Sequence, residues 1–472
     1  MHSTTADFCA AMLDATARPL PPAPSRAARR TLLNVLGTAI SAAASPAATA
    51  LLRAAAGQGS AGVGHVPVPG LARTLDPYWA ALVIGTAAHL DDFDDTHLAT
   101  VIHPGASALA TVVSLAPETA PSGATFLAAF AVGCEAQLRI GNAISPPHYD
   151  HGWHITGTCG VFGAAVAASV LLGLDAEAAG RALALAGTMT AGHREAFGSM
   201  TKPLHAGKAA ANGVLAARLA AAGLAGPADP LGSGGVLEVL SAQVDRSALR
   251  TPATPPGTAA APSAPRLSAA PSTTSAPRSS AAPWELELNT FKTYPCGVVA
   301  HPAMDAAVIA SARIDTAEVT GITLRCNPLV PELMGLAQPE DGLQSRFSAR
   351  HGVAVGLCRG RAGLAEFSDE AATAPEVARL RGLITLEPDP AIARDAAVLL
   401  IGLRSGDPVV IRVDHTRGSA ARPLTDDELL AKVRALVAPV LGDADRLRAA
   451  VDGLPRAPDL SELFAAVRPE RP

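Results

Sequence analysis

Residues 76–95 read DPYWAALVIGTAAHLDDFDD. The apolar, Ala-rich run after Asp76-Pro77 has the length and the punctuation of a helix. It ends in four carboxylates within five residues, Asp91, Asp92, Asp94 and Asp95 around Phe93. Like charges repel, and carboxylates withdrawn from water are unstable. They also stand at the negative end of the helix dipole. A metal ion or a set of cationic side chains must offset that cost, and which of the two it is decides most of the function.

Outward from this helix, residues 1–250 read as a series of Ala-rich helices broken by Gly and Pro, among them GATFLAAFAVGCEAQLRIGNAI, CGVFGAAVAASVLLGL and GKAAANGVLAARLAAAG. Alanine favours helix and close helix packing. Glu135 and Arg139 stand at i, i+4, a spacing suited to pairing along a helix surface. Residues 251–283 are dominated by Pro, Ala, Ser and Thr and cannot bury a core, so a flexible linker is expected there. Beyond it the texture changes. TAEVTGITLRC and RGLITLEPD alternate like strands, SRFSARHGVAVGLCRG is helical, and AAVLLIGL and PVVIRVDH flank a hairpin turn at Arg-Ser-Gly-Asp. Residues 284–420 therefore form an α+β unit. Thr425 to Glu428 is a capping box that opens a helical tail over 421–472. The fold class expected is mainly α, a large helical domain carrying a smaller α+β domain.

Composition narrows the function. Hydrophobic residues make up 49% of the 472, enough for large cores, while aromatics are 3% and the net charge is −5. Neither an aromatic stacking platform nor a basic face for nucleic acid is available. The six cysteines form no C-x-x-C and no disulfide framework. The N-terminus lacks a signal-peptide pattern, and the longest apolar stretch is too short and too rich in Gly and Ala to read as a membrane span. The cytoplasm is the expected location.

Of 37 basic residues only four are lysines: Lys202, Lys208, Lys292 and Lys432. A chain that uses Arg for ordinary cations keeps Lys where a compact ammonium able to give up a proton is wanted. Lys202 and Lys292 have neighbours that support such a role. Lys432, in the tail, reads as a chance survivor.

Four segments carry chemistry. The acidic motif continues as THLATVIHPG, bringing Thr96 and His103. PHYDHGWHITGTCG holds His148, His151 and His154, spaced wrongly for one helical face. His148 and His151 read as surface loop residues, and His154 as a residue at a loop-to-helix junction. FGSMTKPLHAGKAAANG gathers Lys202, His205 and Lys208 at a helix start, where a carboxylate-bearing ligand is favoured. FKTYPCGVVAHPAMDAA brackets Cys296 between Lys292 and His301, with no local motif to make the cysteine a nucleophile. One rival reading exists: Asp91-Asp92-x-x-Asp95 fits the DDxxD pattern of helical, magnesium-dependent isoprenoid synthases. A second metal motif and an aromatic-rich pocket, both expected of such enzymes, are missing.

In series, HLDDFDDTHLATVIHPG, GWHITGTCGVFGAA, FGSMTKPLHAGKAAANG and KTYPCGVVAHPAMDAA resemble the MmgE/PrpD family, the 2-methylcitrate dehydratases and their relatives. The resemblance implies a helical domain with an α+β lid, a homodimer, a site between the domains, and no required metal or other cofactor. It carries Asp92, His103, His154, Lys202 and Lys292 over as catalytic, and Thr96 and His301 as substrate-binding; His205, in the cationic cluster with Lys202, joins the substrate-binding set. The activity implied is loss of water from a hydroxy di- or tricarboxylate such as 2-methylcitrate. Decarboxylation of the cis-aconitate type and epimerisation are alternatives that start from the same carbanion. Decarboxylating relatives carry a histidine near the position of Gly297, which leans against that chemistry here. A non-catalytic protein on the same scaffold would lack the site residues, and all are present.

Overall fold

The computed structural model describes residues 3–58, 64–250 and 283–469. The linker expected over 251–283 lies outside the described residues except for Pro283.

The helix that opened the sequence reading spans Pro77–Leu90, with Asp76 as its N-cap accepting from the Tyr78 and Trp79 N–H groups. Proline at the first position costs no hydrogen bond there. The helix is buried on every side from Ala80 to His89, as an apolar-all-round helix must be. It crosses the Thr201–Ala221 helix so closely that a Cβ on Gly85 would lie 2.7 Å from the Gly207 Cα. Only glycine permits that approach. The crossing brings the C-terminal end of the first helix to the N-terminal end of the second. Helices Pro104–Thr119 and Ile155–Leu171 pack against this pair, and Gly123–Ile144 packs against those two.

The α+β part has its own core, from Tyr294 to Val413. Its four-stranded sheet runs Ile384–Pro388, Val319–Cys326, Ala397–Leu403, Val409–Val413 in spatial order. The first pair is parallel and the other two antiparallel. The last two strands form the expected hairpin. Helices His301–Ser311 and Ala349–Arg359 pack together beside it.

The tail then returns. Thr425 and Glu428 form the capping box of the Asp426–Leu441 helix, which lies against Pro22–Ala42 with Val433 over Gly37. One apolar core thereby runs from Phe8 to Val467. Architecture and order match a mainly α protein with a small sheet.

Two sequence expectations need correction. Glu135 and Arg139 do pair, at 2.7 Å, but they are buried rather than on the surface. Glu135 also accepts the N–H groups of Glu285 and Leu286 at 3.1 and 3.0 Å. Burial is tolerated because the carboxylate is paired and hydrogen-bonded. His148 is likewise buried, bonded to the Leu240 carbonyl and the Thr158 hydroxyl and stacked on Trp153. Among the described residues, no single helix is long and apolar enough to cross a membrane.

Candidate active site

The site begins where the Pro77–Leu90 helix ends. Asp92 adopts a left-handed backbone, φ 49°, a conformation Asp tolerates better than most residues. The chain then enters a two-residue strand, Asp95–Thr96, paired antiparallel with Thr290–Phe291. That register sets Lys292 beside the acidic loop, and its N–H donates to the Asp94 carbonyl at 3.2 Å. A strand-length pairing between residues about two hundred positions apart thus brings Lys292 to Asp92.

Three helices start at the same place. His103 is the N-cap of Pro104–Thr119, His154 that of Ile155–Leu171, and Lys202 lies in the first turn of Thr201–Ala221. The His103 N–H donates to the Thr156 hydroxyl at 3.1 Å, tying two of the starts together. Positive helix ends directed at one spot favour anions there. They also offset the cost of carboxylates at the end of Pro77–Leu90.

The resulting pocket is lined on one side by Asp92, Thr96, His103, His154, Lys202 and Lys292. Gly297, Val298, Val299, Leu333, Met334 and Phe347 form the facing wall. Asp92 sits between two ammonium groups: Lys292 Nζ is 2.8 Å from Oδ2, and Lys202 bonds Oδ1. Burial alone would raise the Asp92 carboxyl, but Lys202 and Lys292 outweigh it and hold it well below its usual range. Burial lowers the Lys202 ammonium, against Asp92 and with Lys292. Lys202 also lies over the rings of Phe197 and Phe347, 5.5 and 5.4 Å from their centroids.

Asp94 does the work of orientation. Its two oxygens meet His103 Nδ1 at 2.9 Å and His89 Nδ1 at 2.7 Å. Burial would raise this carboxyl; the two histidines outweigh it and lower it. An ionised Asp94 accepts, so each histidine donates from Nδ1 and keeps an unprotonated Nε2. Burial lowers the His103 ring below its ordinary value despite Asp94. His154 is lowered further, by burial and by His89 and Lys202.

Of the substrate-binding candidates, Thr96 lines the pocket. His205 stands behind His154, its Nδ1 2.9 Å from that of His154. His301 lies outside the lining, its ring on the Cys296 carbonyl and beside Tyr294. Neither is among the residues that line the pocket. Cys296 is buried, and burial pushes its thiol up, away from a nucleophile's range.

Sequence reasoning missed three features. Nothing in the acidic motif singles out Asp94 as the carboxylate that meets His89 and His103. The apolar wall takes Gly297, Val298 and Val299 from the last motif, but Leu333, Met334 and Phe347 lie outside the four motifs. Lys432 is no chance survivor: it is half-buried, donates to the Asn34 side chain and to the Phe93 and Lys292 carbonyls, and lies 4.1 Å from the Phe93 ring centroid. Its scarcity as a lysine was the one signal.

Among the described residues, His89, Asp92, Asp94 and His103 each place one ligand atom within 4.8 Å of the others. Both Nδ1 atoms are engaged on Asp94 and both Asp92 oxygens on lysines, while His89 Nε2 has no hydrogen-bond partner among the described residues. Two ammonium groups at contact distance disfavour a divalent cation. The DDxxD carboxylates do not converge either. Asp91 pairs with Arg346 at 2.9 Å, while Asp95 accepts from the Gly105 N–H and from Asn289 at 3.0 and 2.7 Å.

The profile of the MmgE/PrpD N-terminal domain matches residues 6–247, and that of the MmgE/PrpD C-terminal domain matches residues 294–455. The chain belongs to the MmgE/PrpD family. With that, the isoprenoid synthase alternative falls. Among curated relatives, this MmgE/PrpD chain is 28% identical over 384 residues to the cis-aconitate decarboxylase of Mus musculus, covering 76% of this chain and 72% of the relative. It is 40% identical over 159 residues to that of Homo sapiens, 32% of each chain. It is 32% identical over 167 residues to that of Aspergillus terreus, 34% of each.

Proposed function

We propose that this chain is a hydro-lyase that removes water from a hydroxy-tricarboxylate such as 2-methylcitrate, by acid–base chemistry without a metal. The observation that carries the reading is the pairing of an Asp94-oriented His103 with two buried lysines on one wall of the pocket. A substrate with three negative charges needs cations, and Lys202, Lys292 and three helix N-termini supply them. His103 Nε2 removes the proton next to a substrate carboxylate. The electron pair forms the double bond, and the hydroxyl departs with a proton from Lys202, whose ammonium burial has made a better acid. Lys292 and Thr96 hold carboxylates, and Asp92 keeps the two ammonium groups in place. His103 and Lys202 then exchange protons with solvent.

Decarboxylation of cis-aconitate is the second reading, favoured by the activity of the relatives. Against it stands the wall at Gly297, where a Cβ would meet Met334 Sδ at 2.4 Å and no ionisable side chain is present.

One assay separates them. The purified chain is given 2-methylcitrate, citrate and cis-aconitate, with and without EDTA, while the unsaturated product and released CO2 are followed. Unsaturated tricarboxylate formed at an EDTA-independent rate is expected. CO2 from cis-aconitate with no dehydration replaces the first reading by the second. Loss of turnover on chelation defeats the metal-free mechanism.

A further inference from the structure

A lysine ammonium withdrawn from water is costly unless its protons are all satisfied. Lys432 stands in the middle of the Asp426–Leu441 helix and, among the described residues, no carboxylate pairs with it. Its three protons go instead to Asn34 Oδ1 at 2.8 Å, the Phe93 carbonyl at 2.6 Å and the Lys292 carbonyl at 2.8 Å. The acceptors belong to three separate segments: the Pro22–Ala42 helix, the acidic loop, and the residues that follow the Thr290–Phe291 strand. A tetrahedral ammonium with three donors fits three convergent acceptors, which a planar guanidinium does not. That accounts for a lysine at this position in a chain that otherwise prefers arginine.

Two of those acceptors lie in the site's own backbone. Phe93 directly follows Asp92, and the Lys292 carbonyl belongs to the residue whose ammonium meets Asp92. Lys432 itself does not line the pocket. The Asp92 turn is left-handed and Lys292 reaches it across a pairing of only two residues. Neither segment has a long regular element of its own to hold it.

From this geometry we infer that Lys432 is a positioning residue of the site: one ammonium on the tail helix clamps the main chain of Phe93 and of Lys292 and so sets the placement of the Asp92–Lys292 pair. The inference rests on the lyase reading only in using turnover as one of its two readouts.

Lys432→Met keeps the stem and removes the donors. The expected result is a folded variant whose kcat falls about tenfold or more while KM for the tricarboxylate stays within about threefold, because Lys202 and Lys292 still bind the anion. Amide exchange should quicken together in segments 91–96 and 289–293. Val433→Ala, the neighbouring core residue, lowers the melting temperature without either effect. A Lys432→Met kcat within about twofold of wild type overturns the inference, as does Val433→Ala reproducing the kcat loss at equal loss of stability. Should the Met variant not fold, Lys432→Gln, uncharged but with two donors, is held to the same criteria. Absence of turnover by the wild-type chain on every tricarboxylate defeats the lyase reading alone. Exchange then decides Lys432, and unchanged exchange in the two segments overturns its role.

Discussion

The two walls of the pocket are built on opposite terms. The wall from the helical part carries the charges beside Val101, Tyr149 and Phe197, and its charged groups are engaged: Asp92 by two lysines, Asp94 by two histidines, His154 by His205. The wall from the α+β part is Gly297, Val298, Val299, Leu333, Met334 and Phe347, without a charge. Lys292 alone reaches from the α+β side of the chain into the charged wall. On the proposed mechanism chemistry and anchoring belong to one wall, and shape to the other. Substitutions on the charged wall should change rate, and those on the apolar wall should change which substrate fits.

The largest effect expected is at Lys202. Lys202→Arg keeps the charge but not the compact, titrating ammonium, and kcat should fall by about 10²–10³-fold in a tricarboxylate assay. A rate near wild type would show that only charge matters there.

Asp94→Asn comes next, with a loss of about 10–100-fold in kcat from a His103 free to take either tautomer. Its pH profile is more telling than its size. Asp94 raises the His103 pKa, so removing the carboxylate lowers it further. The base must be unprotonated, so the acidic limb of kcat/KM should lie below pH 6.5 in the wild type and move to lower pH in the variant. An acidic limb that moves upward, or does not move, breaks the link between these two residues.

Across the pocket, Met334→Ala should leave kcat within a few-fold while changing KM and the ranking of substrates differing by a methyl group, about 3–10-fold. If kcat collapses instead, the division between walls is wrong.

The smallest effect on activity is expected at Asp95, which lies beneath the charged wall. Burial, with Asp94 beside it, raises its carboxyl to about 7. Between about pH 4 and 7 the unfolded chain has lost that proton and the folded one retains it, so this group makes stability fall as pH rises. Asp95→Asn should remove that slope, a difference on the order of 2–4 kcal/mol across the window, read as melting temperature against pH for both proteins. Parallel curves would show that Asp95 does not hold the proton.

The elements that sequence made legible are those governed by local rules. The capping box at Thr425 and Glu428, the hairpin around Arg404 to Asp407 and the apolar helix ending in DDFDD follow from capping, turn chemistry and hydrophobic pattern. Asp92, Thr96, His103, His154, Lys202 and Lys292 were legible through motifs in series, and the structure brings them to one pocket. What stayed hidden depends on contacts between distant segments. The Asp95–Thr96 strand exists only because Thr290–Phe291 lies beside it. His205 and His301 sit in the right motifs, but one turns behind His154 and the other toward a backbone carbonyl. Glu135, His148 and Lys432 are polar residues held in part by partners 92 to 398 positions away.

The closing of the helical core by the tail bears on how the chain folds as it is made. The α+β core, Tyr294 to Val413, is complete within one contiguous stretch and can form as soon as that stretch has emerged from the ribosome. The helical core cannot: Leu436, Val437, Leu447 and Leu463 belong to it, and the Gly123 N–H waits for the Ala457 carbonyl. Contacts of such long sequence separation are slow to form. The first half of the chain therefore lacks part of its apolar core until the segment from Leu436 to Val467 has been made.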